Sequence, residues 1–170
     1  MAERQLFTQV ARERAVSWRR VAFLMCGDWV QAEDIVQMAL IRLARHWHRI
    51  DLAGVEAYAR KVIARLVVDG ARRSRHLEEL QAFTPDQPVM GPNSDEVLDI
   101  REALRHVPPR QRAVLVLRFY CDLTVAQTAA ALDINEGTVK SQTARGLDTL
   151  RSFLRDAQPA FQASRLQERP

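Results

Sequence analysis

The chain has 170 residues, of which 47% are hydrophobic and 27% are charged, with only six Gly and seven Pro. This composition is typical of a soluble, largely helical protein of one ordinary domain or two small ones, and it excludes a chain that is disordered throughout. The net charge is a modest +4, so the distribution of charge along the chain is more informative than its total.

The charges fall into three blocks. Residues 1–75 hold 14 Lys and Arg against 8 Asp and Glu, residues 76–109 hold 2 against 7, and residues 110–170 hold 9 against 6. Basic segments create the field that attracts phosphate groups. Two basic blocks on either side of an acidic one therefore favour a nucleic-acid partner.

Membrane, secreted and metal-binding classes are disfavoured. No run approaches the roughly 18 consecutive apolar residues of a membrane span, and the N-terminal residues are too charged for a signal sequence, so we expect a cytoplasmic protein. Cys26 and Cys121 lie far apart and outside any metal-ligand spacing, which predicts buried, reduced thiols. His46 and His48 would point to different sides of a helix. We expect no metal and no cofactor.

Three helices are predicted in the first half of the chain, at about 5–26, 30–48 and 55–75. The second has an apolar stripe that ends at Trp47 and forms a core face. Another side of this helix is mixed in character, and such a face suits a protein partner. The mixed face includes Asp34, Gln37 and Ile41.

The third predicted helix is strongly basic, and Asp69 is its only acid between residues 57 and 75. Such a ridge suits a phosphate backbone. An alternative stays open for its last arginines, because the helix dipole alone favours cations near a helix C-terminus. The basic residues that we assign to DNA are Lys61, Arg65, Arg72 and Arg73.

A linker is predicted in the stretch HLEELQAFTPDQPVMGPN, which contains three of the seven prolines. Four more helices are predicted after it, and no alternating strand pattern competes with any of them. The sequence therefore predicts an all-α protein of two small helical domains joined by a flexible linker. The boundaries are 1–76 for the first domain, 77–95 for the linker, 96–155 for the second domain and 156–170 for a polar tail.

The second domain contains a helix-turn-helix pattern in the stretch DLTVAQTAAALDINEGTVKSQTARGL. Thr124 and Asn135 are plausible N-caps for two helices separated by about three residues. The turn commonly uses Gly, and Asp133 occupies that place. Asp is one of the few other residues that tolerate the left-handed backbone region.

The second helix of this pattern has an apolar side and a polar side. The polar side lies near its N-terminal turns, which is the end that a recognition helix inserts into a major groove. An ordinary amphipathic surface helix is the alternative, because short helix-turn-helix patterns are degenerate. The residues that we assign to DNA here are Thr138, Lys140, Ser141, Gln142 and Arg145.

Taken together, these segments resemble the extracytoplasmic-function group of bacterial RNA polymerase sigma factors, in the sigma-70 family. The resemblance covers about residues 5–154 and rests on the order and spacing of three stretches. Within the third of these stretches, the segment GTVKSQTARGL is similar to the corresponding segment of an actinobacterial, SigE-like subgroup. The stretches are GDWVQAEDIVQMALIRLARHW, AYARKVIARLVVDGARR and VPPRQRAVLVLRFYCDLTVAQTAAALDINEGTVKSQTARGLDTLR.

The resemblance implies a division of labour. It implies that the first domain (sigma region 2) docks on the clamp helices of the largest polymerase subunit through the mixed face, and captures and melts the minus-10 element with the basic ridge. It implies that the second domain (sigma region 4) reads the minus-35 element and meets the polymerase flap. Many relatives also bind an anti-sigma factor. Arg65 stands where many members carry Asn, so the identity of the flipped minus-10 base is not implied.

Two other functions compete with a non-catalytic sigma factor. An autonomous helix-turn-helix regulator would bind duplex DNA without polymerase, but the chain has no heptad dimer helix. A small helical enzyme would need clustered site chemistry, and the chain offers no Glu-x-x-His pair and no Gly-rich phosphate loop.

Overall fold

The computed structural model describes the backbone of residues 2–80 and 95–167 and the side chains of residues 3–73 and 100–155. Within these ranges the chain is helical and contains no β-strand, as predicted. Residues 81–94, most of the predicted linker, lie outside the described ranges. The helices are α1 (Ala2–Cys26), α2 (Trp29–His46), α3 (Val55–Leu80), α4 (Asp95–Arg105), α5 (Pro109–Leu115), α6 (Val125–Leu132) and α7 (Glu136–Gln167).

The first unit is a three-helix bundle of α1, α2 and α3. Trp18 of α1 is fully buried, and its indole Nε1 donates a hydrogen bond to Glu56 Oε2 of α3 at 3.0 Å. Trp47 packs edge-on against Phe7 with 5.2 Å between the ring centroids. Trp18 therefore lies in the core, and Trp47 packs against it, as the apolar stripe of the second predicted helix indicates.

The second unit contains α4 to α7, and two small clusters of buried residues lie within it. Leu104, Val107 and Leu115 form one cluster, and Val114, Ala129 and Val139 form the other. Ala129 of α6 is buried against Val139 of α7, and its small side chain allows these two helices to cross closely.

Arg112 joins the end of α4 to α5. Its guanidinium is buried and donates hydrogen bonds to the carbonyl oxygens of Val107 (3.1 Å from Nη2) and Arg105 (3.2 Å). Burial lowers the pKa of Arg112, but arginine stays charged at neutral pH. The side chain therefore satisfies backbone carbonyls that the end of α4 would otherwise leave without a partner.

The two units pack against each other through α3 and also through α1. The core cluster of the first unit continues without a break into the second, where its members are Ala113, Val116, Leu117, Cys121 and Ala131. The sequence predicts two domains on a tether, and in the structure these two units share one buried cluster.

Two segments differ in detail from the predicted helices. The predicted helix 109–121 changes at Val116 into a π-helical turn, Val116–Tyr120, which leaves Phe119 and Tyr120 exposed. Helix α7 runs on to Gln167, through most of the predicted polar tail. No helix in the described residues is both long enough and apolar enough to cross a bilayer.

Two helical glycines predict opposite effects of alanine substitution. A Cβ atom at Gly146 would lie 2.9 Å from Leu115 Cδ1 and 3.1 Å from its Cγ, and Leu115 is itself buried. We expect Gly146→Ala to lower the free energy of unfolding by about 1–3 kcal/mol through overpacking. Nothing lies within 4 Å of a Cβ at Gly70, so we expect Gly70→Ala to raise it by about 0.5–1 kcal/mol. Urea unfolding measures both, and stabilisation by both variants would contradict the packing at Gly146.

Candidate nucleic-acid interface

The basic ridge of α3 is divided over two sides of the helix. Lys61, Arg65 and Arg72 recur at helical spacing on one side, whereas Arg73 lies on a neighbouring side with its Nε 3.4 Å from the carbonyl oxygen of Asp69. Lys61 and Arg65 are half-buried, and Arg72 and Arg73 are exposed. The structure therefore brings three of the four predicted minus-10 residues onto one face.

The helix-turn-helix forms through local capping contacts. Thr124 and Gln127 make a reciprocal capping box at the start of α6, with Thr124 Oγ1 accepting from Gln127 N at 3.1 Å. Asp133 ends α6 in the left-handed region, with φ 58°. Asn135 Oδ1 then accepts from Thr138 N at 2.7 Å and caps α7. All three residues play the parts that the sequence predicts.

The polar side of α7 is only partly accessible in this arrangement. Lys140, Ser141 and Arg145 are exposed, but Thr138 and Gln142 are half-buried. These last two lie one helical turn apart. They line a cleft between the two units.

The cleft brings the two predicted DNA sites together. It has a volume of about 490 Å³, and Arg65 and Arg72 of α3 line it opposite Thr138 and Gln142 of α7. Arg65 Nη2 lies 3.5 Å from Asp133 Oδ2, so an ion pair crosses between the units. Two of the four predicted minus-10 residues and two of the five predicted minus-35 residues thus line one cavity.

Arg110 is a further cationic residue of this cleft that the sequence analysis missed. It lies at the exposed start of α5, directly after Pro108 and Pro109. No local pattern marks Arg110 as a binding residue, because its place beside α7 depends on how α5 and α7 pack.

The mixed face of α2 lies on the outside of the first unit. Asp34, Gln37 and Ile41 are all exposed there, and Ile41 exposes 53% of its surface. Val30 and Met38, which the sequence analysis did not include, are exposed large apolar residues on the same helix. An exposed apolar patch beside an acid is typical of a surface that binds another protein.

A second apolar surface lies where both units meet. A groove of about 510 Å³ is lined by Phe23 and Trp29 of the first unit and by Ile100, Phe119 and Tyr120 of the second. The last three expose more than half of their surface. The rings of Phe23 and Trp29 stack on each other with 3.9 Å between their centroids.

Metal-binding groups and reactive thiols are the next features to consider among the described residues. No group of three or more His, Cys, Asp or Glu among them could hold a metal ion. Burial raises the pKa of the Cys26 and Cys121 thiols, which keeps them protonated and therefore weakly nucleophilic.

Two family models and several known proteins match this chain. The model for sigma-70 region 2 matches residues 10–77, and the model for sigma-70 region 4 matches residues 98–150. The chain is 33% identical to the RNA polymerase sigma-E factor of Streptomyces coelicolor, over 91% of this chain and 89% of that protein. It is also 33% identical to the ECF RNA polymerase sigma factor SigL of Mycobacterium tuberculosis, over 91% and 92%.

One solved structure shows the same fold. It is the sigma factor RpoE in complex with the anti-sigma factor NepR from Bartonella quintana. The TM-score is 0.74 at 20% sequence identity, and the match covers 88% of this chain and 96% of that one.

Proposed function

The chain belongs to the sigma-70 family and is a sigma factor that directs core RNA polymerase to promoters, and we propose that its two units divide this work between two promoter elements. The first unit, residues 1–76, docks on the polymerase and melts the minus-10 element. The second, residues 96–155, reads the minus-35 element, and residues 77–95 link the two.

The observation that carries this proposal is the geometry of the helix-turn-helix. The left-handed Asp133 and the Asn135 cap place the first turns of α7 at the surface, with Lys140, Ser141 and Arg145 exposed. Arginine reaches base edges in the major groove, and lysine and short hydroxyl groups fix phosphates. An autonomous regulator would account for these residues but not for the match of residues 10–77 to sigma-70 region 2.

The first unit supplies the polymerase contact and the minus-10 contact on different surfaces. Asp34, Gln37 and Ile41 are exposed on α2 and dock on the clamp helices of the largest subunit. The ridge of Lys61, Arg65, Arg72 and Arg73 on α3 holds the DNA backbone as the duplex opens. The chain itself acts in the cytoplasm and makes and breaks no bond, and catalysis belongs to the polymerase.

An anti-sigma factor and the polymerase flap bind the exposed apolar residues of the second unit. The groove that contains Ile100, Phe119 and Tyr120 lies against both units. A protein seated there would touch both at once, which is what an anti-sigma factor needs in order to withhold the whole chain from polymerase. The flap of the polymerase competes for the exposed residues of the same unit.

Run-off transcription with purified core polymerase tests the proposal. We expect the chain to confer start-site selection on a randomised promoter library, and we expect the selected sequences to contain two conserved elements. Core polymerase alone is the control. Selection of a single element would contradict the division of labour between the units.

The role of α2 predicts the effect of a charge reversal. Asp34→Arg is expected to abolish association with core polymerase, because a like-charge contact at an interface costs several kcal/mol. The fold stays intact by circular dichroism, since Asp34 is exposed. Glu13→Arg, an equal reversal at an exposed position of α1, is the matched control and retains association in a native-gel assay. Retained association of Asp34→Arg would remove this face from the docking role.

The proposed role of α7 predicts different effects for the loss of Arg145 and the loss of Lys140. Arg145→Ala is expected to cost about 1–3 kcal/mol of binding and to relax preference at one minus-35 position, because arginine reads a base. Lys140→Ala is expected to weaken binding to all sequences and to reduce the salt slope by about 1, because lysine contacts phosphate. Holoenzyme binding to single-base variants of the selected promoter, at several salt concentrations, distinguishes the two. Indistinguishable effects would argue against base readout by Arg145.

A further inference from the structure

We propose that the cleft between α3 and α7 is a binding site for a nucleoside diphosphate, a class of ligand that the proposed function does not include. Residues of α3, α5 and α6, of the turn after α6 and of the first turns of α7 line the cleft. Its volume of about 490 Å³ falls within the range of about 300–1,000 Å³ that is typical of small-molecule sites. The cleft therefore has the size of a site for one small ligand.

Three guanidinium groups supply the positive charge of the cleft. Arg65 and Arg72 lie two helical turns apart on one side of α3, and Arg110 lies at the start of α5. A planar guanidinium group binds phosphate oxygens through two parallel hydrogen bonds. Arg72 and Arg110 are exposed and therefore accessible to a ligand. Three such groups on two helices suit a diphosphate.

The ion pair of Arg65 does not block the site. Arg65 Nη2 lies 3.5 Å from Asp133 Oδ2, and the side chain of Asp133 is 86% exposed. An ion pair as exposed as this one contributes little to stability. Arg65 can therefore exchange its carboxylate partner for a phosphate group at small cost.

Aliphatic side chains form another part of the cleft. They are Val68 of α3, Leu132 of α6 and Ile134 of the turn, and all three are half-buried. Ligand sites commonly combine an apolar lining with a few polar groups, and an aliphatic wall suits the face of a nucleobase. An inorganic phosphate would leave this wall in contact with water. The combination of cations and aliphatic groups therefore favours an organic phosphate.

The other polar groups of the cleft match the ribose and the edge of the base. Within the described residues, the hydrogen bonds of Thr138 use only its backbone groups, so its hydroxyl is available to a ligand. Gln142 has a side-chain amide that both donates and accepts. Asp69 and Asp133 are carboxylates, which only accept, and they suit ribose hydroxyl groups and base amino groups. The same two acids disfavour a bare diphosphate, which has no such donors.

The DNA backbone is the competing ligand for these arginines, because Arg65 and Arg72 also belong to the proposed minus-10 contact. Each phosphate of a DNA strand carries one charge and is separated from the next by a sugar. A diphosphate instead concentrates its charge in one terminal group, which arginines from two helices can contact together. A short single-stranded oligonucleotide is therefore a comparison ligand in the test.

Three substitutions provide the test. Arg110→Gln removes one guanidinium group, and Arg110 is not among the residues that we assign to DNA. Thr138→Val removes a hydroxyl but keeps the shape of the side chain and the backbone N–H that Asn135 caps. Arg151→Gln is the matched control. Arg151 is an exposed arginine of α7 outside the cleft, and its ion pair with Asp148 is exposed as well.

Isothermal titration calorimetry of the full-length chain without polymerase uses ADP, GDP, CDP and UDP as probes. We expect saturable binding of at least one of them. Its affinity is at least about tenfold higher than that of the matching nucleoside, of pyrophosphate or of the oligonucleotide, because none of these presents a diphosphate, a ribose and a base together.

The variants are compared with the wild type on the probe that binds most tightly. Arg110→Gln weakens its binding by about tenfold or more, because hydrogen bonds to charged groups are strong. Thr138→Val weakens it by about two- to tenfold, as the loss of a neutral hydrogen bond does. Arg151→Gln binds as the wild type does. Circular dichroism and thermal unfolding without ligand verify that each variant is folded.

Three results would overturn the inference. The first is that none of the four nucleoside diphosphates binds. The second is that pyrophosphate or the oligonucleotide binds as tightly as the best of them. The third is equal weakening by Arg110→Gln and Arg151→Gln, because the ligand would then respond only to net charge. Run-off transcription tests the proposed function separately: a chain that directs transcription but binds no nucleoside diphosphate rejects this inference alone.

Discussion

Burial of α3 on two sides is the constraint on which the rest of the structure depends. One side closes the bundle with α1 and α2, and another receives α5 and α6. Five of the six residues from 62 to 67 are accordingly apolar and buried: Val62, Ile63, Ala64, Leu66 and Val67. The polar side chains of α3 lie on the part of the helix that neither unit covers. Arg65 lies within this run and is forced to the edge, where it meets the second unit. Helix α3 is therefore both the scaffold of the fold and the carrier of its basic ridge.

The environments of the arginines separate structural from binding roles. Arg112 is buried and gives its hydrogen bonds to backbone carbonyls, and Arg60 is half-buried between Glu56 and a carbonyl of the other unit. Arg72 and Arg145 are exposed, which suits contact with a polyanion. Net charge alone does not distinguish the structural arginines from the binding arginines. A buried guanidinium bonds to groups of the protein itself, whereas an exposed one is available to a partner.

The sequence predicted local features well and the arrangement between units poorly. Thr124, Asp133 and Asn135 were assigned correctly, because capping and left-handed turns depend on residues within four positions of each other. The half-burial of Thr138 and Gln142 depends on α3, more than 60 residues earlier in the chain, and no periodicity within α7 contains that information. The order and spacing of the three stretches in the sequence allowed the family to be predicted. They did not predict how closely the two units approach each other.

Alanine is prominent in the buried cluster that the two units share. Ala59 and Ala64 of α3 and Ala113 and Ala131 of the second unit all belong to the shared cluster. Alanine has no rotamers to lose on burial, so burying these side chains carries no cost in side-chain conformational entropy. The consequence is thermodynamic: at these positions the buried cluster forms without any cost of ordering side chains, and its stability there depends on the apolar area that is removed from water.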